Sequence, residues 1–332
     1  MSWRDLIPVG DLQEGQGITL GSREYILVRN ILRQKSVYSA SQDQTKTAFG
    51  FKWAKRDTYE SPTMLANHKQ WMIQRYLGGR PELLDQWVQD GALVLDAGCG
   101  ASYSGLEFFE TRLNHIQYLG VDISEAVDVA VERFRAAGKR GEFMQADILD
   151  LPFSGPTFDM IFSEGVLHHT DSTQGALSYL AGLLKPGGRF LFYVYRVKGP
   201  IREFSDDHIR EVIKGMGDEE AWEALVPLTK LGQALGELNV KVKVPEAVPY
   251  LGIPAGEIDI QRLFYWYVFK AFYRSDWQLE EMNHINFDWY RPQNCHRQTP
   301  EDVTSWCAEV GLAIDHMDVQ ESGITVVGLK GT

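Results

Sequence analysis

Short apolar runs alternate with helical patterns through the middle of the chain. Between the runs, apolar residues recur at the three- and four-residue spacing of a helix that buries one face. Strands separated by helices of this length indicate parallel βαβ units, because a parallel crossover needs an intervening helix. The predicted strands cover residues 93–96, 118–122, 142–147, 158–163 and 189–195.

The alternation stops at Lys198 and resumes at Thr299, and the intervening segment is helix-like and rich in aromatic residues. An insertion after the fifth strand emerges at the edge of the sheet where ligands bind, so it either covers that crevice as a lid or forms a structural subdomain or homodimer surface. The predicted architecture has three parts: an N-terminal arm with helices covering the site over 1–80, a doubly wound α/β domain over 81–197 and 299–332, and a helical insertion over 198–298.

The composition describes an acidic globular protein. Hydrophobic residues make up 44% of the chain, charged residues make up 23%, and the net charge is −12. This charge disfavours a nucleic-acid partner, which requires a basic surface. The three cysteines are too few and too scattered for a disulfide framework or a zinc ribbon, so no metal is expected. Because there is also no signal-peptide pattern and no apolar run of membrane-spanning length, we expect a cytoplasmic protein without a membrane partner.

The first strand leads into a turn that contains Asp96, Gly98 and Gly100. Glycine there allows a ligand to approach the backbone closely. The spacing lacks the third glycine of the dinucleotide fingerprint, and a carboxylate would repel a pyrophosphate. The turn instead suits a ligand with positive charge, and S-adenosylmethionine, with its ammonium and sulfonium groups, meets that requirement.

The next two strands also end in acids, Asp122 and Asp147. Asp122 follows Asp96 at nearly the offset at which an acid meets ribose hydroxyls in a nucleoside-binding βαβ unit. Asp147 suits an adenine amino group, with the backbone of Ile148 beside the ring. Three acids at successive strand ends therefore predict a nucleoside site.

Five segments in order resemble the signature of class I S-adenosylmethionine-dependent methyltransferases. They are VLDAGCG at 94–100, GVDIS at 120–124, QAD at 145–147, FDMIFS at 158–163 and LKPGG at 184–188. The resemblance implies a seven-stranded, mostly parallel sheet whose last strand is antiparallel, with S-adenosylmethionine as the cofactor and S-adenosylhomocysteine as its product. One departure is that Ala101-Ser102 stands where many members have a small pair containing glycine, and Gly105 lies too far along the chain to replace it.

The resemblance also assigns cofactor contacts. It places Gly98 and Gly100 at the methionine moiety, Asp122 at the ribose, and Ser163 and Glu164 near the reactive methyl. The aromatic residues Phe49, Phe51 and Trp53 of the arm either anchor it or close over the cofactor. The complete predicted cofactor set is Asp96, Gly98, Gly100, Asp122, Ile123, Asp147, Ile148, Ser163 and Trp53.

Two further segments, 47–53 in the arm and 287–292 in the insertion, are similar to stretches of bacterial small-molecule methyltransferases of this class. We therefore expect methyl transfer by in-line displacement to a small-molecule acceptor. An acceptor that loses a proton also needs a base, and Glu164, His168 and His169 follow the fourth strand at the crevice. Alternatively, these histidines only fix a loop.

The acceptor itself is not identified. Arg202, Arg262, Arg274 and Arg291 either meet a carboxylate or phosphate of the acceptor or pair with the chain's many acids. The alternatives to a small-molecule enzyme are a methyltransferase acting on protein or RNA and a non-catalytic S-adenosylmethionine-binding protein.

Overall fold

The N-terminal part of the chain forms a three-stranded meander followed by three helices. The computed structural model describes residues 12–36, 38–55 and 62–331, so the remaining positions of the predicted arm lie outside the described residues. The elements are β1 (Gly17–Leu20), β2 (Arg23–Val28), β3 (Ile31–Gln34), α1 (Ala40–Ala54), α2 (Pro62–Leu77) and α3 (Leu83–Trp87). The second strand pairs antiparallel with the first and the third.

Strands and helices then alternate, as the hydrophobic pattern predicts. The elements are β4 (Leu93–Ala97), α4 (Tyr103–Phe109), β5 (Gln117–Asp122), α5 (Ala126–Ala136), β6 (Glu142–Gln145), β7 (Phe158–Glu164), α6 (Thr173–Gly182) and β8 (Leu184–Tyr195). Neighbouring strands among these five pair in parallel, in the order β6-β5-β4-β7-β8.

The segment after β8 contains four helices and a small sheet before the α/β pattern resumes. The elements are α7 (Pro200–Ile213), α8 (Asp218–Glu237), β9 (Lys241–Val244), β10 (Gly256–Asp259), α9 (Ile260–Tyr267), α10 (Leu279–Tyr290), α11 (Pro300–Glu309), β11 (Leu312–Val319) and β12 (Gly323–Lys330). Strands β9 and β10 form an antiparallel pair that the helical pattern did not predict.

The main sheet has ten strands in the order β1-β2-β3-β6-β5-β4-β7-β8-β12-β11. Strand β12 is antiparallel to β8 and to β11, which confirms an antiparallel last strand. The predicted count of seven strands is wrong for the whole sheet, because β3 pairs in parallel with β6 and adds the meander to that edge. An unpaired edge presents free backbone N–H and C=O groups, and β3 satisfies them. The Arg33 side chain reinforces this junction by donating to Gln145 Oε1 at 2.6 Å.

Apolar layers cover both faces of the sheet. In β4, Val94 packs in one layer with residues of α2 to α5, while Leu93, Leu95 and Ala97 pack in the other with α6 and α11. Burial on both faces explains why this strand is a nearly continuous apolar run. The carboxyl ends of the parallel strands are then left as the open edge, where Asp96 and Asp122 lie.

Helix α1 and the insertion lie over this edge. Lys52 of α1 forms an ion pair with Asp288 of α10 at 2.5 Å, and Gln44 donates to the backbone oxygen of Arg291 at 3.2 Å. Arm and insertion therefore contact each other above the strand ends. Among the described helices, none is both long and apolar enough to cross a bilayer.

Candidate functional site

A cavity of about 800 Å³ lies at the carboxyl ends of the parallel strands, between the sheet, α1, α2 and the insertion. Ligand sites for small molecules span roughly 300–1,000 Å³, so this cavity is at the large end of that range. Nine of the twelve residues predicted for the site line it: Trp53, Gly98, Gly100, Asp122, Ile123, Asp147, Ile148, Glu164 and His169.

The glycine turn forms the floor of the cavity. Gly98 has a φ of +84°, which favours glycine, and a Cβ at this position would overlap the side chain of Val166. The backbone N–H groups of Gly98 and Cys99 both donate to Val121 O, at 2.8 and 2.9 Å, and this ties the turn to β5. The indole of Trp53 packs against Gly100 from the arm, so the arm and the turn enclose the same space.

Asp122 is buried at the end of β5 and is held in one orientation. Its Oδ2 accepts from Gly100 N at 2.8 Å, and its Oδ1 accepts from the backbone and hydroxyl of Ser124 at 2.8 and 2.6 Å. Burial raises the pKa of Asp122, while these donors oppose the shift. Because a carboxylate oxygen has two lone pairs, Oδ2 retains acceptor capacity toward the cavity.

Asp147 lies at the neighbouring strand end. Its Oδ1 accepts from Leu149 N at 2.9 Å, and its backbone N–H donates to Gln34 Oε1 at 2.9 Å. Burial raises the pKa of its carboxyl group. Gln34 belongs to β3, so the arm positions this strand end, a role that the sequence pattern did not indicate.

Asp96 and Ser163 are not among the residues that line the cavity, and their predicted contact with the cofactor stays a prediction. The Asp96 carboxyl group accepts from Tyr118 OH, which lies 2.6 Å from Ser102 Oγ. Burial raises the pKa of Asp96 to about 7. Ser163 Oγ donates to Ala97 O at 2.8 Å. Both side chains hold the strand ends and the turn through these contacts.

Gly105 packs closely against the side chains beneath the turn. It lies in α4, and a Cβ on it would overlap Tyr118 OH and the Asp96 carboxylate. We expect Gly105→Ala to lower the free energy of unfolding by about 1–3 kcal/mol, the usual cost of overpacking. Denaturant unfolding checks this against Gly182→Ala, where no atom lies within 4 Å. Equal stability of the two variants would contradict the assignment.

Glu164 lines the cavity, but both of its oxygens are engaged. Arg75 Nη2 donates to Oε1 at 2.6 Å, and Tyr76 OH donates to Oε2 at 2.5 Å. Arg75 is itself buried, lies 3.2 Å from the centroid of the Trp71 ring, and donates to Thr325 Oγ1 at 3.0 Å. The geometry therefore makes Glu164 an ion-pair partner rather than a free base.

The two histidines have different surroundings. His168 lies outside the cavity lining; its ring centroid is 3.8 Å from that of Tyr195, and burial lowers its pKa well below the usual value. His169 lines the cavity, and its Nδ1 lies 2.6 Å from the Asn294 backbone oxygen. A carbonyl can only accept, so Nδ1 carries the proton and Nε2 the lone pair. Burial lowers the pKa of His169 to about 4, so the ring is neutral at pH 7.

Lys52 and Asp288 join the arm to the insertion inside the cavity. Asp288 Oδ2 also accepts from Tyr195 OH at 3.0 Å, and Lys52 Nζ lies 4.1 Å from the Trp53 ring centroid. Burial alone would raise the pKa of Asp288, but the nearby charges of Lys52 and Lys270 lower it well below the usual range. Neither Lys52 nor Asp288 was predicted as a site residue, although both lie in the two segments, 47–53 and 287–292, that share a family likeness.

The described residues offer no cluster of metal-ligating side chains. Within residues 12–36, 38–55 and 62–331, no group of three or more His, Cys, Asp or Glu side chains is arranged to hold an ion. The polar groups at the strand ends are instead acceptors suited to hydroxyl and amino groups.

Residues 95–192 match the family model of the methyltransferase domain. Among curated proteins, the chain is 31% identical over 125 residues to an Encephalitozoon cuniculi protein named as a candidate methyltransferase, a match covering 37% of this chain and 54% of that protein. It is 32% identical to a mouse protein provisionally named tRNA methyltransferase 9B, covering 37% and 27% of the two chains. It is 31% identical to a fatty-acid O-methyltransferase of Mycolicibacterium smegmatis, covering 35% and 41%.

The matched region spans about half the length of the first of these relatives and less of the others. It coincides with the segment from β4 to β8 whose strand ends build the cavity floor. The strand order β6-β5-β4-β7-β8-β12-β11 and the antiparallel β12 agree with the class that the sequence motifs resemble. By its family match, the chain therefore contains a methyltransferase domain at residues 95–192.

Proposed function

We propose that this protein transfers the methyl group of S-adenosylmethionine to a small-molecule acceptor held in the same cavity. The observation that supports this most strongly is the continuity of the cavity. It extends from Asp122 and Asp147 at the strand ends to Tyr265 and Trp277 of the insertion, so the cofactor region and the space for a second ligand adjoin each other.

The residues at the strand ends fit the cofactor. Asp122 offers a fixed carboxylate to the ribose hydroxyls, and Asp147 with Ile148 offers an acceptor and an apolar edge to the adenine. Gly98 and Gly100 leave the turn without side chains where the methionine moiety would lie. When bound, the cofactor supplies a methyl group activated by its sulfonium.

The arm and the insertion exclude water and align the acceptor. Trp53 covers the glycine turn, and the Lys52–Asp288 pair closes the space above it. Alignment and exclusion of water account for much of the rate in such displacements, since the methyl donor is already reactive. For an acceptor that loses a proton, we propose His169 as the base among the three predicted residues, a role supported by its position in the cavity lining and by the lone pair on its Nε2.

A small acceptor is favoured over a macromolecule by the walls of the cavity and by charge. Aromatic residues of the insertion close the side opposite the sheet, and the net charge of −12 opposes an RNA partner. One relative carries a tRNA methyltransferase name and another acts on fatty acids according to its name, so relatives alone do not select the acceptor class.

Calorimetric titration of the purified protein with S-adenosylmethionine, S-adenosylhomocysteine and NAD tests the cofactor part of the proposal. We expect the two sulfur compounds to bind with micromolar affinity, about −8 kcal/mol, and NAD not to bind. Binding of NAD alone would overturn the proposal. Incubation with tritiated S-adenosylmethionine and a small-molecule extract tests the acceptor part, and label confined to added tRNA or protein would contradict it.

A further inference from the structure

The insertion supplies the cavity with two cationic side chains that have no carboxylate partner within the described residues, and with one indole N–H that has no acceptor there. Arg262, Lys270 and Trp277 all line it. Trp277 Nε1 is buried and has no hydrogen-bond partner within the described part of the chain. Over the same residues, no carboxylate pairs with Arg262 or with Lys270. Donors left unpaired beside a cavity indicate the kind of ligand that would satisfy them.

Arg262 differs from the other three arginines that the sequence singled out. Arg202 is paired with Asp206 at 2.6 Å, and Arg274 and Arg291 have carboxylate partners in Asp276 and Asp218. Arg262 instead donates from Nη2 to a backbone oxygen, that of Tyr273, at 3.2 Å. Its positive charge is therefore not neutralised by a neighbouring carboxylate of the described chain.

Lys270 is held in place by its backbone. Its N–H donates to Tyr290 OH at 2.9 Å, and its ammonium group lies 4.7 Å from the Trp289 ring centroid. The side chain is only 6% exposed. Burial and the charge of Arg202 lower the pKa of Lys270 to about 7, while three neighbouring acidic groups oppose this shift: Asp288, Asp206 and Cys295.

The two carboxylates near Lys270 already have cationic partners. Asp288 pairs with Lys52 at 2.5 Å, and Asp206 pairs with Arg202 at 2.6 Å. Lys270 is thus an additional cation rather than one half of an existing pair. Glu164, another carboxylate in the cavity lining, likewise has a cationic partner, because Arg75 pairs with it at 2.6 Å.

Two hydrogen bonds bring Arg262 and the segment that carries Lys270 to the same wall of the cavity. Gln261 Nε2 donates to Ala271 O at 2.7 Å, and Arg262 donates to Tyr273 O, so the start of α9 lies beside the segment that carries Lys270. Planar side chains flank this wall: the Phe272 and Trp277 rings are 5.2 Å apart, and Tyr265 lies 6.0 Å from Phe272. Such a wall suits a flat apolar body that carries an acceptor-rich group.

We propose that the methyl acceptor is a planar small molecule bearing an oxyanion, a carboxylate or a phosphate, which is received by the wall formed by Arg262, Lys270 and Trp277. This inference rests on the proposed function, because it names the acceptor class of the same cavity. A neutral ligand would leave the donors desolvated without a partner, whereas an oxyanion satisfies them with charge-assisted hydrogen bonds.

The test uses three flat probes that share one ring system: 2-naphthoate, 2-naphthyl phosphate and the neutral 2-naphthylmethanol. Each is titrated into the full chain by calorimetry, with and without S-adenosylhomocysteine. The variants are Lys270→Gln and Arg262→Gln, with Lys230→Gln as a control of the same charge change on an exposed residue of α8. Thermal unfolding of every variant checks that it is folded.

We expect the wild type to bind at least one anionic probe about tenfold or more tightly than the alcohol, and each cavity variant to lose about tenfold for that anion only. Comparison of naphthoate with naphthyl phosphate then selects between the two oxyanions. Affinity for the anion should also fall as the pH rises above about 7, because Lys270 of the unliganded protein loses its proton there. Lys270→Gln should abolish this dependence on pH.

Equal affinity for the anions and the alcohol, binding of none of the probes, or an anion affinity unchanged in Lys270→Gln and Arg262→Gln would overturn the inference. Binding of S-adenosylhomocysteine to all variants shows in the same samples that the cofactor part of the proposed function stands. Failure of the wild type to bind S-adenosylhomocysteine would instead count against that function. The selectivity for anions would still be measured in the titrations that contain no S-adenosylhomocysteine.

Discussion

Replacing Glu164 with alanine is expected to lower the free energy of unfolding by about 3–5 kcal/mol, the usual cost of removing one partner of a buried ion pair. Arg75 would keep its charge in a site where its side chain is 1% exposed, beside the Thr325 hydroxyl and the faces of Trp71 and Tyr193. Urea unfolding monitored by circular dichroism measures this loss.

An exposed ion pair provides the control for this effect. Asp276 pairs with Arg274 at the surface, and Asp276→Ala should cost less than about 1 kcal/mol. Glu164→Gln separates the structural role of Glu164 from a role as base, because the amide retains the shape. A Gln variant that remains active supports the ion-pair role. A Glu164→Ala protein with wild-type stability would show that the pair does not hold the fold.

Replacing Asp122 with alanine is expected to weaken S-adenosylmethionine binding by about 1–3 kcal/mol, the cost of lost hydrogen bonds to a buried charged group. The substitution removes the predicted acceptor of the ribose hydroxyls. It also frees Gly100 N, which donates to Asp122 Oδ2 at 2.8 Å, so the glycine turn loses one of its hydrogen bonds to β5. Calorimetric titration of the folded variant gives the change in affinity.

Ser124→Ala is the matched control for the role of Asp122. It removes the hydroxyl that donates to Asp122 Oδ1 at 2.6 Å but leaves the carboxylate and its bond to Gly100 in place. We expect a smaller loss of affinity than in Asp122→Ala. An Asp122→Ala protein that binds S-adenosylmethionine as tightly as the wild type would remove the ribose assignment.

The sequence by itself determined the parallel core and the floor of the cavity. Strand β4 is apolar because both of its faces are covered, and its alternation with helices requires parallel pairing. Parallel strands bring their carboxyl ends to one edge, so Asp122 and Asp147 are placed there by chain order alone. These features are local in sequence, and periodicity and turn residues therefore predict them.

The tertiary structure alone decided which polar groups face the cavity. His168 and His169 are adjacent in sequence, yet only His169 lines it. Asp96 and Ser163 do not line it, and their side chains contact Tyr118 and Ala97 instead. Which side chains face the cavity depends on contacts with residues far along the chain, and sequence periodicity does not specify those contacts.

The same physical reason accounts for the arm and the acceptor wall. Pairing of β3 with β6 extends the sheet, and it joins segments more than one hundred residues apart. Glu164 is neutralised by Arg75, while Lys270 pairs with no carboxylate of the described residues, although the sequence alone presents both as isolated charges. Whether a charged residue is paired or available to a ligand is decided by three-dimensional packing, since that packing determines its neighbours and its exposure to water.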